Sequence, residues 1–164
     1  MVFREDYENY YSVEKLIHEF DSQSQKERVD LMLTFSEGSI LDVGAGTGNL
    51  MKKARFIGRK VEGVELSEHL YHYLRGEGLK VKRGDARKLP YKDNSFDTVT
   101  LGEILEHLPN PGKALSEAFR VAKNRVTFSV PLGDLNDDWH YWNIGAAKVN
   151  NFLVVTFAKK EDLK

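Results

Sequence analysis

Short apolar runs recur along the chain, and stretches with helical periodicity separate them. After a first run that leads into a glycine-rich loop, further runs lie at 60–64, 79–83, 96–101 and 125–130. Runs of this length, bounded by turn residues, predict strands, and the stretches between them predict helices. Strands that alternate with helices predict an α/β fold, in which a parallel sheet is covered by helices on both faces.

Residue types at the predicted helix ends support these boundaries. Gly58 suits the end of a short helix that begins at Asn49, because glycine readily adopts the left-handed conformation that stops a helix. Ser67 suits the N-cap of the following helix. Asn110 followed by Pro111 predicts the start of the last helix before the fifth strand.

The N-terminal stretch at 7–35 predicts two helical pieces that are broken near 21–22. Ser24 and Glu27 form an S-x-x-E capping box that would begin the second piece. Apolar residues on one side of that piece predict that it packs against the sheet.

The stretch at 39–50, SILDVGAGTGNL, is the clearest functional signal in the residues themselves. Gly44, Gly46 and Gly48 suit a turn that needs positive φ and lets the backbone lie directly against a ligand. About twenty residues further on, the second strand ends at Glu65, where an acid can accept hydrogen bonds from ribose hydroxyls. The loop and this acid together predict a site for a nucleotide-like ligand.

Composition excludes several classes of protein. The 24 Lys and Arg residues balance 25 Asp and Glu residues, so no net basic field points to nucleic acid or an anionic membrane as the main partner. The absence of cysteine excludes a disulfide framework and a thiolate metal site. No apolar run approaches the roughly 20 residues of a membrane span. We therefore expect a soluble, cytoplasmic protein without a membrane partner.

Further motifs give the chain a family resemblance. The glycine loop has the spacing GxGxG with Asp42 just before it, and residues 84–111 read GDARKLPYKDNSFDTVTLGEILEHLPNP. Over residues 39–131, these motifs resemble the class I S-adenosylmethionine-dependent methyltransferases. The resemblance implies a Rossmann-like, doubly wound and mostly parallel sheet of order 3-2-1-4-5 plus an antiparallel edge strand. It also implies S-adenosylmethionine as the cofactor, with methyl transfer to a small molecule expected and RNA or protein acceptors left open.

The same resemblance assigns cofactor-binding residues. Glu65 would hold the ribose hydroxyls, and Leu66 would pack on the adenine ring. Asp85 with Ala86 would meet the adenine edge. The full set is Asp42, Gly44, Gly46, Gly48, Glu65, Leu66, Asp85, Ala86 and Gly102. Plain structural roles stay open beside these, because Asp85 could cap a turn and Asp42 could satisfy donors in the loop.

Catalytic candidates lie just beyond the fourth strand. Methyl transfer needs chiefly a nucleophile held in line with water excluded, and a base helps when the acceptor is a hydroxyl or an amine. His107 and Glu103 are the nearest candidates for that base. With Glu106 they also resemble the metal-binding segment of methyltransferases that act on small-RNA 3′ ends and on ubiquinone precursors. Because relatives without metal carry similar residues here, we expect no metal site.

The C-terminal part is shorter than in the family that the chain resembles. About twenty residues lie between the fifth strand and the last apolar run, too few for the usual helix and sixth strand. The run at 152–158 is therefore assigned to the antiparallel edge strand, which could pair with another subunit in a homodimer. The predicted organisation is one domain, 1–164, with an N-terminal helical cover (1–36), a cofactor-binding core (37–131) and a shortened C-terminal part (132–164).

An aromatic run in this C-terminal part suits an acceptor pocket. Trp139, His140 and Tyr141 follow the fifth strand at the carboxyl edge of the sheet and are assigned to substrate binding. A small separate core under a loop is the alternative for this run.

The role of the N-terminal helices and the reaction itself are left open by the residues. The helices either cover the sheet or, as in the resembled family, close over the cofactor with the residues Tyr10, Tyr11 and His18. The protein could be a non-catalytic module that binds S-adenosylmethionine. It could also be a nicotinamide-dependent oxidoreductase, although the GxGxG spacing differs from the GxGxxG of dinucleotide enzymes.

Overall fold

The computed structural model describes residues 22–131 and 152–158, in which strands and helices alternate. The strands are β1 (Ile40–Val43), β2 (Val61–Glu65), β3 (Val81–Arg83), β4 (Phe96–Gly102), β5 (Ala122–Pro131) and β6 (Phe152–Ala158). The helices are α1 (Gln23–Thr34), α2 (Asn49–Phe56), α3 (Glu68–Gly76) and α4 (Pro111–Val121), with a short 3-10 helix at Leu105–His107. Outside the described residues lie the predictions for Tyr10, Tyr11, His18, Trp139, His140 and Tyr141.

A six-stranded sheet of order β3-β2-β1-β4-β5-β6 forms the centre of this part of the chain. Strands β1 to β5 run parallel, and β6 runs antiparallel to β5. The predicted Rossmann-like order with an antiparallel edge strand is confirmed. Val43 of β1 is level with both Val64 of β2 and Leu101 of β4. The carboxyl ends of these three strands therefore lie side by side, at the point where the strand order reverses and ligands of such sheets bind.

Helix starts follow the predicted caps, with one exception. The side chains of Ser67 and Asn110 cap α3 and α4 as predicted. Helix α1 starts two residues earlier than predicted, because Ser22 rather than Ser24 accepts the hydrogen bond of the cap, from the N–H of Gln25. Two S-x-x-E/Q patterns overlap in this stretch, and the earlier start gives the helix additional backbone hydrogen bonds.

Two strand starts differ from the prediction by more than one residue. Strand β3 begins at Val81 and not at Leu79, because the N–H of Leu79 donates to the carbonyl of Leu74 and closes the turn after α3. Strand β5 begins at Ala122, directly after α4, and not at Arg125, where the predicted strand begins.

Apolar side chains fill both faces of the sheet. On one face, Leu41 and Val43 pack with the buried residues of β4, β5 and α4. On the other face, Ile40 packs with α1 and α2. Burial of each such side chain contributes roughly 1.5–3 kcal/mol. Within residues 22–131 and 152–158, no helix is both long and apolar enough to cross a membrane.

Candidate functional site

A cleft of about 1060 Å³, including its open side, lies at the carboxyl ends of β1, β2 and β4. Its walls come from the glycine loop after β1, the end of β2, residues 84–87 after β3, residues 102–104 and 107–108 at and after the end of β4, and α1. The cleft brings together most of the residues singled out in the sequence: Asp42, Gly44, Gly46, Glu65, Leu66, Asp85, Ala86, Gly102, Glu103 and His107. Gly48 is not part of the lining.

The glycines of the loop have different surroundings. Gly44, Gly46 and Gly48 all have positive φ, at 72°, 54° and 77°. A Cβ on Gly46 would have no atom closer than the Gly44 carbonyl oxygen at 4.0 Å, so the backbone borders open space. A Cβ on Gly48 would lie 2.6 Å from the Leu74 side chain. The loop thus faces the cleft at Gly46 and packs on α3 at Gly48.

Glu65 connects the glycine loop to the start of α3. Its side chain is only 2% exposed. One carboxylate oxygen accepts the N–H of Gly46 at 2.8 Å, and the other accepts the N–H of Ser67 at 2.9 Å. Each carboxylate oxygen can accept a second hydrogen bond. The residue therefore fixes the loop at the wall of the cleft.

Asp85 is bound to Arg87. Its carboxylate accepts hydrogen bonds from the Arg87 backbone N–H at 2.8 Å and from Nη2 of the guanidinium at 2.7 Å. The hydrogen bond from the Arg87 side chain lowers the pKa of Asp85. Asp85 thus stabilises a turn, as the sequence analysis left open, and it also lines the cleft.

Asp42 is buried at the end of β1 and accepts a hydrogen bond from the Thr100 hydroxyl at 2.9 Å. Burial raises the pKa of Asp42 to about 7, although Thr100 and the positive charge of Arg28 oppose this shift. The donor in this hydrogen bond is a side chain of β4, whereas the sequence analysis considered backbone donors in the loop. Asp42 can thus exist as either the acid or the carboxylate near neutral pH.

Arg28 of α1 lines the cleft and was missed in the sequence. It is only 8% exposed, and its guanidinium donates to Gln25 at 2.8 Å and to the Ser129 hydroxyl at 3.1 Å. Nη1 of Arg28 also lies next to Gly102. A Cβ added to Gly102 would be only 2.5 Å from that atom. Arg28 lies four residues before Met32 and therefore on the apolar side of α1. A charged residue at such a position is the sequence signal that would have indicated a buried cation.

Glu103 and Glu106, the acidic pair, follow β4. Glu103 has a positive φ of 54°, which only Asn94 shares among the non-glycine residues of the described ranges. Glu106 is 2% exposed. Within the described ranges, no hydrogen-bond partner reaches Oε1 of Glu103 or either carboxylate oxygen of Glu106. Burial raises the pKa of both side chains, and the charge of Glu103 adds to the increase for Glu106.

His107 lines the cleft beside this pair. Its Nε2 atom lies 4.0 Å from Oε1 of Glu106. In the part of the chain that the structure describes, no three His, Cys, Asp or Glu side chains are arranged to hold a metal ion.

Comparison with known proteins identifies the family. A family model described as a methyltransferase domain matches residues 41–130, more than half of the chain. The chain belongs to the class I S-adenosylmethionine-dependent methyltransferases. The methyltransferase family uses S-adenosylmethionine as its cofactor.

Individual relatives of this methyltransferase are longer than the chain. An uncharacterised protein of Methanocaldococcus jannaschii is 28% identical over 121 residues, which is 74% of this chain and 54% of that protein. A demethylmenaquinone methyltransferase of Staphylococcus aureus is 38% identical over 91 residues, 51% of this chain and 38% of that protein. The chain thus spans about half or less of these curated relatives.

A solved structure is also similar to the methyltransferase chain. It is a Thermotoga maritima protein described as an S-adenosylmethionine-dependent methyltransferase and possible histamine N-methyltransferase. The two share 31% sequence identity with a TM-score of 0.58, over 76% of this chain and 56% of that one.

The cleft of the methyltransferase chain fits its family's cofactor. Gly46 leaves backbone next to open space that a side chain would fill. Glu65, at the end of β2, places a carboxylate in the lining of the cleft, as recognition of a ribose diol requires. Leu66 and Ala86 add apolar surface to the same cleft, as a flat base requires.

Proposed function

We propose that the protein transfers the methyl group of S-adenosylmethionine to a small-molecule acceptor. The observation that carries the proposal is the glycine loop held by Glu65 through the N–H of Gly46 at 2.8 Å, beside the cleft at the carboxyl ends of β1, β2 and β4. The names of the relatives support a small acceptor, since they include demethylmenaquinone methyltransferases and a possible histamine N-methyltransferase.

The proposed roles follow from positions in the cleft. The backbone at Gly44 and Gly46 lies against the ligand, Glu65 accepts from its ribose hydroxyls, and Leu66 with Ala86 packs on its base. S-adenosylmethionine supplies a methyl group on a cationic sulfonium, which a nucleophile attacks in line.

Glu103 is the proposed base for an acceptor that must lose a proton. It lies in the wall of the cleft, and burial raises its pKa to about 7, so that it can accept a proton near neutral pH. His107 lines the same wall and is the second candidate.

Calorimetry tests cofactor binding. We expect S-adenosylmethionine and S-adenosylhomocysteine to bind and NAD not to bind. Glu65→Gln should weaken S-adenosylhomocysteine by about tenfold or more, because it removes charge-assisted hydrogen bonds. Glu62→Gln, on the same strand and paired with Lys80, is the matched control. Binding of NAD without S-adenosylmethionine would contradict the proposal, and thermal unfolding of each variant shows whether it is folded.

Methyl transfer itself is tested with a labelled methyl donor and cell-extract fractions of small molecules, RNA and protein. We expect label in the small-molecule fraction, and equal transfer with and without EDTA. Cofactor binding without transfer to any fraction would instead support a non-catalytic binding module. Loss of transfer in EDTA that added metal restores would make Glu103, Glu106 and His107 a metal site.

A further inference from the structure

The acidic pair is unusual because three of its four carboxylate oxygens are buried without a donor among the described residues. Oε1 of Glu103 and both carboxylate oxygens of Glu106 have no hydrogen-bond partner within the described ranges. A buried polar atom without a partner costs roughly 1–3 kcal/mol, and more when it is charged. Native proteins keep few such atoms, and those that persist call for an explanation such as a ligand or an ion.

The backbone holds Glu103 in place at the cleft. Its N–H donates to the Ser129 carbonyl at 3.1 Å, and its φ of 54° is in the left-handed region. A residue other than glycine keeps this conformation only when its surroundings impose it, and such residues cluster at ligand sites. Glu103 is therefore positioned by β5 at the edge of the cleft.

In the part of the chain that the structure describes, acidic side chains outnumber cationic ones near the pair. Asp42, Glu103 and Glu106 all lie within the electrostatic reach of Arg28. The hydrogen bonds of the Arg28 guanidinium include those to the neutral side chains of Gln25 and Ser129. Three acids face one cation, and the neighbouring His107 lines the same wall. A positively charged donor would be attracted to this wall, and a carboxylate or phosphate would be repelled.

We propose that this wall is a subsite for a protonated nitrogen, and that the acceptor of the methyltransferase is a small molecule that carries an amine. The nitrogen donates to the carboxylate of Glu103, which lines the cleft. Glu106 is a positioning residue behind Glu103, since its own side chain is 2% exposed, and a bound ammonium group favours the carboxylate form of Glu106. An ammonium group has several donors and no acceptor, so it matches a set of buried oxygens without donors. The inference rests on the proposed function and names the substrate class for that site.

The first test compares amines with alcohols of the same shape. Ethylamine, 2-phenylethylamine and tryptamine are each titrated beside the alcohol that has a hydroxyl in place of the ammonium, with S-adenosylhomocysteine present at saturation. We expect at least one amine to bind tenfold or more tightly than its alcohol. Equal binding within each pair, or no binding of the three amines, overturns the proposal. Failure of S-adenosylhomocysteine to bind would instead overturn the proposed function.

Isosteric variants locate the subsite. Glu103→Gln should reduce the preference for the amine to within twofold, and Glu106→Gln should reduce it at least threefold. Glu27→Gln, an exposed residue of α1, is the matched control and should leave the preference unchanged. If both Glu103→Gln and Glu106→Gln keep the wild-type preference for the amine over the alcohol, the amine binds elsewhere and the assignment is wrong.

A last comparison separates the acceptor from the cofactor's own ammonium group. S-adenosylhomocysteine carries that ammonium, and methylthioadenosine lacks the amino-acid end. In Glu103→Gln, we expect the affinities of both compounds to stay within threefold of the wild type. A tenfold loss for S-adenosylhomocysteine alone would show that the acidic pair binds the cofactor's amino-acid end, and the acceptor subsite would be wrong.

Discussion

Gly46 and Gly48 are two residues apart in one loop and differ in what a side chain would meet. Both have positive φ, which costs an alanine about 1–2 kcal/mol. At Gly48 the added Cβ would also collide with Leu74 and with Leu79, at 2.6 and 2.8 Å. At Gly46 it would project into free space next to the cleft. Stability and ligand binding should therefore separate at these two positions.

We expect Gly48→Ala to lower the free energy of unfolding by about 2–4 kcal/mol, because strain and collision add. Gly46→Ala should cost only about 1–2 kcal/mol. It should weaken S-adenosylhomocysteine at least tenfold, because its methyl group occupies space at the cleft. Urea denaturation and calorimetry measure the two effects. Wild-type affinity in Gly46→Ala would mean that the ligand does not approach this part of the loop.

Among the elements, α1 differs from the other described helices because it brings a buried cation to the cleft. The charge of Arg28 lies near Asp42 and the acidic pair, and its guanidinium reaches Ser129 of β5. Removal of one partner from a buried set of charges is strongly destabilising, because the remaining charges lose their compensation. The same helix thus contributes to the fold and to the electrostatics of the site.

Arg28→Met keeps an unbranched, flexible side chain, although a shorter one, and removes its charge. We expect the free energy of unfolding to fall by about 3–5 kcal/mol at pH 8, where the carboxyl groups are increasingly ionised. The loss should be smaller at pH 5, where the same groups carry protons. Lys26→Met, at an exposed position of α1, is the control. Urea denaturation at both pH values gives the result, and an equal loss at pH 5 and pH 8 would contradict the electrostatic explanation.

Local patterns in the sequence were sufficient to predict most elements, whereas the order of the sheet followed from the family resemblance. Glycine spacing, caps and short apolar runs act over a few residues, so the strands and the position of Glu65 could be read directly. Ser22 was missed because two capping patterns overlap within α1. Arg28 was missed because its partner Ser129 lies 101 residues away, and no local pattern encodes such a contact.

For the whole molecule, the buried acids make stability depend on pH. Burial raises the pKa of Asp42 and of Glu103 to about 7 and that of Glu106 to about 8. The folded state therefore binds more protons than the unfolded state between about pH 4.5 and 8, and its stability falls as the pH rises through this range. Asp85 and Glu117 have lowered pKa values and act in the opposite direction, at acidic pH.

Glu106→Gln should flatten this dependence, because a neutral side chain no longer loses a proton on unfolding. We expect the wild type to lose on the order of 2–4 kcal/mol more than the variant between pH 5 and pH 9. Thermal or urea unfolding across this range measures the slope, and Glu27→Gln should follow the wild type. Parallel curves for wild type and Glu106→Gln would show that Glu106 does not titrate with a raised pKa.

The bond between Arg28 and Ser129 also sets an order of events during translation. Glu65 and Gly46 are 19 residues apart, so the loop and its anchor can form soon after β2 leaves the ribosome. Arg28 is synthesised earlier than either, yet its partner emerges 101 residues later. We therefore expect the side of the cleft formed by the glycine loop and the side formed by Arg28 and Ser129 to fold at different times. In stalled nascent chains, the glycine-loop side should gain protease protection first, and the acidic side should gain it only after β5 has emerged.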